Sequence, residues 1–207
     1  MEFNTKYITK KYSSWINTKE YIILHHTASD LSTPDINVVK YLSTSTAQVS
    51  CHYIVGTDWV IYQLTSDDKI TWHAWLSEWK WKKWLNAFSI GIEIISDWKT
   101  FNDNQRKATR ELVKYLMDKY SIDSSSILRH KDIAPWRKTD VGDSFWNNEY
   151  KTYSEYQQSF IIQSSNLQPE AQKAKDLWLW NGERPNDPTT REETAVMMSR
   201  VYDYLNK

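Results

Sequence analysis

Two short stretches of the sequence contain the side chains best suited to bind a metal ion. The first, ILRHKDIAPWRKTD at positions 127–140, holds His130 and Asp140 in a loop interrupted by proline. The second, YIILHHTA, is an apolar run that ends in His25 and His26. Neutral imidazole and carboxylate are normal zinc ligands, and three protein ligands plus a water are typical of catalytic zinc. Together the two stretches predict a catalytic zinc site.

The residues alone leave open which of the paired histidines binds the metal. A pair of histidines at a strand end can also have no role in metal binding, with one side chain in the core and the other on the surface. Because side chains alternate across a strand, His25 and His26 point to opposite faces, and only one of them can join His130.

The elements that must position these side chains follow from periodicity and capping signals. Short β-branched and aromatic runs, typical of buried strands, alternate with segments that carry helix start signals. The predicted strands cover positions 20–25, 51–55, 60–64, 88–95 and 127–129. One predicted helix starts at Thr33-Pro34, and another follows a capping box formed by Asn102 and Gln105. This order predicts an α/β fold with a central mixed β-sheet flanked by helices.

Length and composition exclude several classes of protein. The 207 residues fit one domain plus a small appendage. The 26 basic and 26 acidic residues balance, so there is no excess positive charge that would indicate nucleic-acid binding. The single cysteine, Cys51, excludes an internal disulfide. No apolar run approaches the ~20 residues of a membrane span, and the basic start lacks the apolar part of an export signal. We therefore expect a soluble, monomeric protein without an ordinary export signal.

Three blocks of the chain, ILHHTA, SIGIEI and RHKDIAP-x-RKTD, resemble a known family. They are similar to the zinc-dependent N-acetylmuramoyl-L-alanine amidases of the phage-lysozyme and peptidoglycan-recognition-protein type, from about Lys19 to Trp146. The resemblance implies a central sheet flanked by helices with a zinc cleft at one edge. It also implies zinc as cofactor, peptidoglycan or muropeptides as substrate, and His25, His130 and Asp140 as ligands.

The resemblance implies roles for other residues as well. Glu93 would act as the base for a zinc-bound water, where a buried partner for a nearby Lys or Arg is the structural alternative. Lys138 would stabilise the charge that develops on the scissile carbonyl, although it also suits a solvated loop. The remaining residues assigned to substrate binding are His26, His52, His73 and Arg137, and for His73 a purely structural role stays open.

Two other functions stay open on the sequence alone. Some relatives recognise peptidoglycan without cleaving it, but they lose a zinc ligand, whereas this chain keeps all three. A zinc peptidase of another fold lacks support, since the sequence has no HExxH motif. We expect the protein to be made in the cytoplasm and to act on the cell wall after release, or to recycle muropeptides inside the cell.

The chain divides into four predicted parts. Residues 1–18 are a loosely ordered lead-in, 19–150 the zinc amidase domain, and 151–168 a linker. Residues 169–207 form a small C-terminal helical segment that resembles one S-layer-homology-like, wall-binding repeat. A helical hairpin packed on the catalytic domain is the alternative for this segment.

Tryptophan and glycine are present in unusual proportions, with 12 Trp and only 4 Gly. Asp58-Trp59 and Asp97-Trp98 stand where a tight turn favours Asp-Gly. The resemblance implies glycine at six tryptophans, which are Trp59, Trp75, Trp81, Trp84, Trp98 and Trp136. We hypothesise that the gene reads UGA as glycine at these six codons. A Trp-rich, wall-binding surface is the alternative interpretation.

Overall fold

In the computed structural model, which describes residues 1–44, 49–146 and 150–161, a five-stranded β-sheet lies at the centre. Its strands lie side by side in the order β4 (Ile61–Gln63), β3 (Tyr53–Val55), β8 (Ser89–Ile94), β2 (Tyr21–His26) and β9 (Ile127–Arg129). The last four run parallel to one another, and β4 is antiparallel to β3. This arrangement confirms the predicted mixed sheet.

Smaller elements surround the sheet. Two short antiparallel pairs join β1 (Tyr12–Ile16) to β5 (Lys69–Thr71) and β6 (Glu78–Trp79) to β7 (Lys82–Lys83). The helices are α1 (Asp35–Thr44), α2 (Asp103–Tyr120) and the single turn α3 (His130–Ile133). Residues 153–161 form a further helix, α4. None of the described helices is long and apolar enough to cross a membrane.

Both faces of the sheet are covered by other elements of the chain. This is because the strands carry apolar side chains on each of their two faces. Ile22 and Leu24 of β2 join the core beneath α2, whereas Tyr21 and Ile23 join a cluster on the opposite face. His25 continues the second set, since side chains alternate along a strand. Its neighbour in the parallel register is Glu93 of β8. The fold therefore places these two polar side chains next to each other on one face.

The predicted capping box of α2 is confirmed in both directions. The Asn102 side chain accepts a hydrogen bond from the backbone N–H of Gln105 at 2.9 Å, and the Gln105 side chain accepts from the N–H of Asn102 at 3.0 Å. Such a cap stabilises a helix by about 1 kcal/mol. It fixes the start of the helix that buries Leu112 and Leu116 against the sheet.

The N-terminal segment corrects the prediction of a loosely ordered lead-in. Residues 12–16 form β1, and the backbone N–H of Asn4 donates to the carbonyl of Ile61 at 2.9 Å. Thr9 and Asn17 are completely buried. Polar residues are buried here because the backbone and side chains find hydrogen-bond partners in the sheet, which hydrophobic periodicity alone does not reveal.

The start of the predicted linker also belongs to the compact unit, which extends from Met1 to Phe160. In α4, Tyr156 and Phe160 are almost fully buried and pack in the same core as α2. The predicted linker start at residue 151 is therefore corrected. The rest of the linker, from 162, and the predicted S-layer-homology-like segment 169–207 lie outside the described residues.

The six unusual tryptophans fall into two groups. Trp59, Trp84 and Trp98 have positive φ angles of 72°, 56° and 81°. This left-handed conformation favours glycine, because a Cβ atom meets the neighbouring carbonyl there. Trp75, Trp81 and Trp136 are not among the residues with positive φ, and their side chains are exposed, by 64%, 81% and 63%.

Candidate metal centre and cleft

Three predicted ligands meet where two neighbouring parallel strands end. His25 is near the end of β2, His130 follows β9 as the first residue of α3, and Asp140 lies in the loop after α3. His25 Nδ1 is 2.9 Å from His130 Nδ1 and 3.2 Å from Asp140 Oδ2. His130 Nδ1 is 3.1 Å from the same oxygen, and all three residues are buried. Among the described residues, this is the group that could hold a metal ion.

The geometry of these three atoms fits zinc. Ligand atoms about 2.0–2.1 Å from a tetrahedral zinc lie about 3.3 Å apart, which is close to the separations here. Two unprotonated Nδ1 atoms at 2.9 Å would repel each other unless a cation or a shared proton lay between them. The donor set of two imidazoles and one carboxylate therefore matches the ion that the sequence predicted.

The pKa shifts of His130 and Asp140 favour the protonation states that metal binding requires. Loss of solvent, together with the nearby His25, lowers the pKa of His130 to about 4, so the ring is neutral at pH 7. Burial alone would raise the pKa of Asp140. The contacts with His130 and His25 outweigh burial and hold the pKa of Asp140 well below its usual value.

Glu93 lies beside the ligands in the same cleft. It is the register partner of His25 across the β2–β8 pair. Its Oε2 atom is buried and has no hydrogen-bond partner among the described residues. Burial raises the pKa of Glu93, with the charge of Asp140 adding to the effect and His25 and Lys138 opposing it. A carboxylate oxygen without a hydrogen-bond partner at this place in the cleft can take up or release a proton.

A cleft of about 470 Å³ opens over these residues. Lys138 and Arg137 lie on its polar side, near Asp140. The cleft is also lined by α1 and the segment after it, which the sequence did not predict, through Val38, Tyr41, Leu42 and Val49. The helical periodicity of α1 was visible, but nothing in it indicated that this face borders the site.

The residues assigned to substrate binding differ in their positions. His26 lines the cleft, with its ring 6.2 Å from that of Phe101, and burial lowers its pKa. Arg137 also lines the cleft, and its guanidinium donates hydrogen bonds to the carbonyls of Trp75 and Leu76. His73 also lines the cleft and contacts His25.

His52 lies away from the cleft, which corrects its assignment to substrate binding. It is completely buried and is not among the cleft-lining residues. Its Nε2 atom lies 2.8 Å from the carbonyl of Lys69, and its Nδ1 atom accepts from the backbone N–H of Gly91 at 3.0 Å. Burial lowers the pKa of His52 to about 4. The ring joins strands together and leaves no nitrogen for a ligand.

Comparison with solved structures places this fold among the amidases. The Escherichia coli amidase AmiD, solved in complex with anhydro-N-acetylmuramic acid-L-Ala-D-gamma-Glu-L-Lys, superposes with a TM-score of 0.56 at 27% identity, over 71% of this chain and 60% of that chain. AmpDh3 from Pseudomonas aeruginosa, in complex with anhydromuramic pentapeptide, gives 0.53 at 25% identity, over 70% and 63%. The class of protein that this fold resembles is thus that of the amidases.

The family follows from the sequence. The profile of the N-acetylmuramoyl-L-alanine amidase family matches residues 16–143, and the chain belongs to this family. Its sequence is 28% identical to Escherichia coli AmiD over 202 residues, or 88% of this chain and 66% of AmiD. It is 36% identical to the 1,6-anhydro-N-acetylmuramyl-L-alanine amidase AmpD of the same species over 99 residues, or 47% and 54%. The chain thus spans about two thirds of one relative and half of the other.

Proposed function

We propose that this protein is a zinc-dependent N-acetylmuramoyl-L-alanine amidase. It hydrolyses the amide bond between the lactyl group of muramic acid and the L-alanine of the stem peptide. The observation that carries the proposal is the meeting of His25, His130 and Asp140 in one cleft with Glu93, whose Oε2 atom has no hydrogen-bond partner among the described residues. The muropeptide named in the AmiD complex contains this type of bond, which supports the choice of substrate.

His25 and His130 would hold the ion through Nδ1, and Asp140 through Oδ2, because these atoms face one another. Zinc bound there supplies Lewis-acid polarisation of the scissile carbonyl and lowers the pKa of a water toward ~7. The protein fixes the donors on two strand ends and one loop. It also keeps the site partly enclosed, which strengthens electrostatic interactions inside the cleft.

Glu93 is the proton carrier of the reaction. Its carboxylate takes a proton from the attacking water and returns it to the leaving amine of L-alanine. The burial that raises its pKa moves the carboxyl closer to the operating pH, which favours transfer in both directions. General acid–base catalysis of this type contributes about 10²–10⁴-fold to the rate.

Lys138 completes the catalytic set. It lies on the polar side of the cleft with Arg137, close enough to Glu93 and His130 to affect their pKa values. A cation there stabilises the negative charge that develops on the carbonyl oxygen in the transition state. His26 and His73 line the same cleft, where His26 can contact the substrate.

A protein that only recognises peptidoglycan has less support, because this chain retains all three ligands and the half-buried Glu93 beside them. The site of action follows from the substrate. Cleavage of intact peptidoglycan sacculi would indicate a protein that reaches the wall after release. Cleavage of 1,6-anhydro-muropeptides alone would indicate recycling inside the cell. We propose a monomeric enzyme in either setting.

The experiment is a hydrolysis assay with the zinc-loaded protein on both substrates, followed by mass spectrometry. The expected product is a free stem peptide with an N-terminal alanine. A chelator should abolish the reaction and added zinc should restore it. Peptide release at the same rate by His130→Ala would refute the metal site, and binding of muropeptide without any cleavage would favour the recognition protein.

A further inference from the structure

The zinc ligand His25 is held from behind by a second histidine. Its Nδ1 atom faces His130 and Asp140, while its Nε2 atom lies 3.0 Å from Nδ1 of His73. The two rings are nearly perpendicular, at 89°, with centroids 5.1 Å apart. Both side chains are buried. The contact is therefore a hydrogen bond shielded from water.

The direction of this hydrogen bond follows from the next partner. Nε2 of His73 lies 3.3 Å from Oγ of Ser89, and the Ser89 hydroxyl donates its proton to the carbonyl of Leu85 at 2.7 Å. The serine oxygen is then left as an acceptor, so His73 carries its proton on Nε2. Nδ1 of the neutral His73 ring must accept, and His25 must donate from Nε2. This leaves Nδ1 of His25 unprotonated, as a metal ligand requires.

The surroundings of His73 fix the ring in place. The side-chain carbonyl of Asn86 accepts hydrogen bonds from the backbone N–H groups of His73, at 3.1 Å, and Ala74, at 2.5 Å. Above the ring lies Gly91, where a Cβ atom would come within 2.5 Å of the imidazole. The strand therefore needs glycine at this position for the ring to fit.

We infer that His73 is a positioning residue, which fixes the tautomer and orientation of the ligand His25 through a relay of His25, His73, Ser89 and the Leu85 carbonyl. The inference rests on the proposed zinc site. Such outer partners of metal ligands change metal affinity by about 10–100-fold when they are removed. His73 acts on the metal through His25 and does not need to contact substrate.

The relay can be tested first in the unaltered protein. A long-range ¹H–¹⁵N spectrum of the zinc-loaded protein distinguishes the two tautomers of each histidine. We expect protons on Nε2 of both His25 and His73, with Nδ1 of His73 unprotonated. A His73 ring with its proton on Nδ1 would overturn the inference, whatever the fate of any variant.

Variants then test the consequence for the metal. His73→Leu removes the acceptor at similar bulk, and zinc affinity measured by competition with a chromophoric chelator should fall about 10–100-fold. His73→Asn places its side-chain oxygen near the position of Nδ1 and should remain within about threefold of the unaltered protein, by the same reasoning. Equal affinities in the leucine variant and the unaltered protein, or equal losses in the two variants, would overturn the inference.

A control separates this effect from general destabilisation. Tyr53→Phe removes a buried 2.7 Å hydrogen bond to Asp67 and involves no zinc ligand. Its melting temperature should fall while its zinc affinity stays unchanged, and an equal loss of zinc affinity there would refute a specific role of His73. If the unaltered protein itself binds no zinc, the proposed function fails. If all variants bind zinc equally, only the inference about His73 fails.

Discussion

Replacing Trp59, Trp84 and Trp98 by glycine should stabilise the protein. All three have positive φ angles, between 56° and 81°, and their side chains are exposed by 40–58%. A residue with a Cβ atom in the left-handed region lowers the free energy of unfolding by about 1–2 kcal/mol. Glycine lowers the free energy of unfolding by about 0.4–1 kcal/mol, because it gives the unfolded chain more conformational freedom. The net gain is about 0.5–1 kcal/mol at each position, or about 1.5–3 kcal/mol for the triple variant.

Thermal unfolding measures this gain. For a chain of this size, 1 kcal/mol shifts the melting temperature by about 2–4 °C, so the triple variant should melt about 3–12 °C higher. The matched control replaces Trp75, Trp81 and Trp136, which lack the positive φ, and its melting temperature should not rise. Equal shifts in the two triple variants would refute the strain argument.

The same positions test the codon hypothesis directly. If the gene reads UGA as glycine, all six of these tryptophans have UGA codons, whereas Trp72 and Trp79, which fall where the resemblance implies tryptophan, have UGG. UGG codons at Trp59 and Trp98 would end the hypothesis and leave a genuinely Trp-rich surface.

Three further predictions concern the site and its histidines. Asp140→Ala and His130→Ala should lose zinc and activity together, since each removes a ligand. Metal analysis beside the hydrolysis assay checks this, and full activity in metal-free protein would contradict it. Glu93→Gln should keep zinc but lose about 10²–10⁴-fold in kcat, and a native rate would make Glu93 structural. The folded protein holds the pKa of His52 at about 4, against ~6.5 when unfolded, so only the unfolded chain binds this proton between these values. Stability should therefore fall as pH drops through that window, by up to about 1.4 kcal/mol per pH unit, and denaturant titrations of His52→Gln should show a shallower dependence.

The three candidate ligands could be singled out in the sequence because each lies beside a recognisable local motif, and the family resemblance selected His25 over His26. His25 ends an apolar run, and His130 and Asp140 lie ten residues apart in one loop. Their meeting follows from β2 and β9 being parallel neighbours, which alternation of strands and helices favours. Alternation of side chains left His25 and His26 equivalent, and only the packing of β2 places His25 with the other two.

Features that depend on distant contacts were not predictable. The pairing of His73 with His25 spans 48 residues, and its only signal in the sequence is a histidine between Trp72 and Ala74. The burial of His52 likewise depends on which strand covers its ring. Residues 1–18 have no clear period, so their hydrogen bonds to β4 and β5 appear only in the folded chain.

The site consists of two parts that differ in how freely their sequence can change. One part lies on the paired strands β2 and β8, and the other part lies in a loop. His25 and Glu93 are partners in the register of two strands that run through the core, so a slip of either strand by one residue would turn its side chain to the opposite face. Asp140, Arg137 and Lys138 come from a loop, which can change in length and sequence without disturbing that register. Substrate preference in this scaffold should therefore evolve through the loop, while the positions of His25 and Glu93 stay fixed with the sheet.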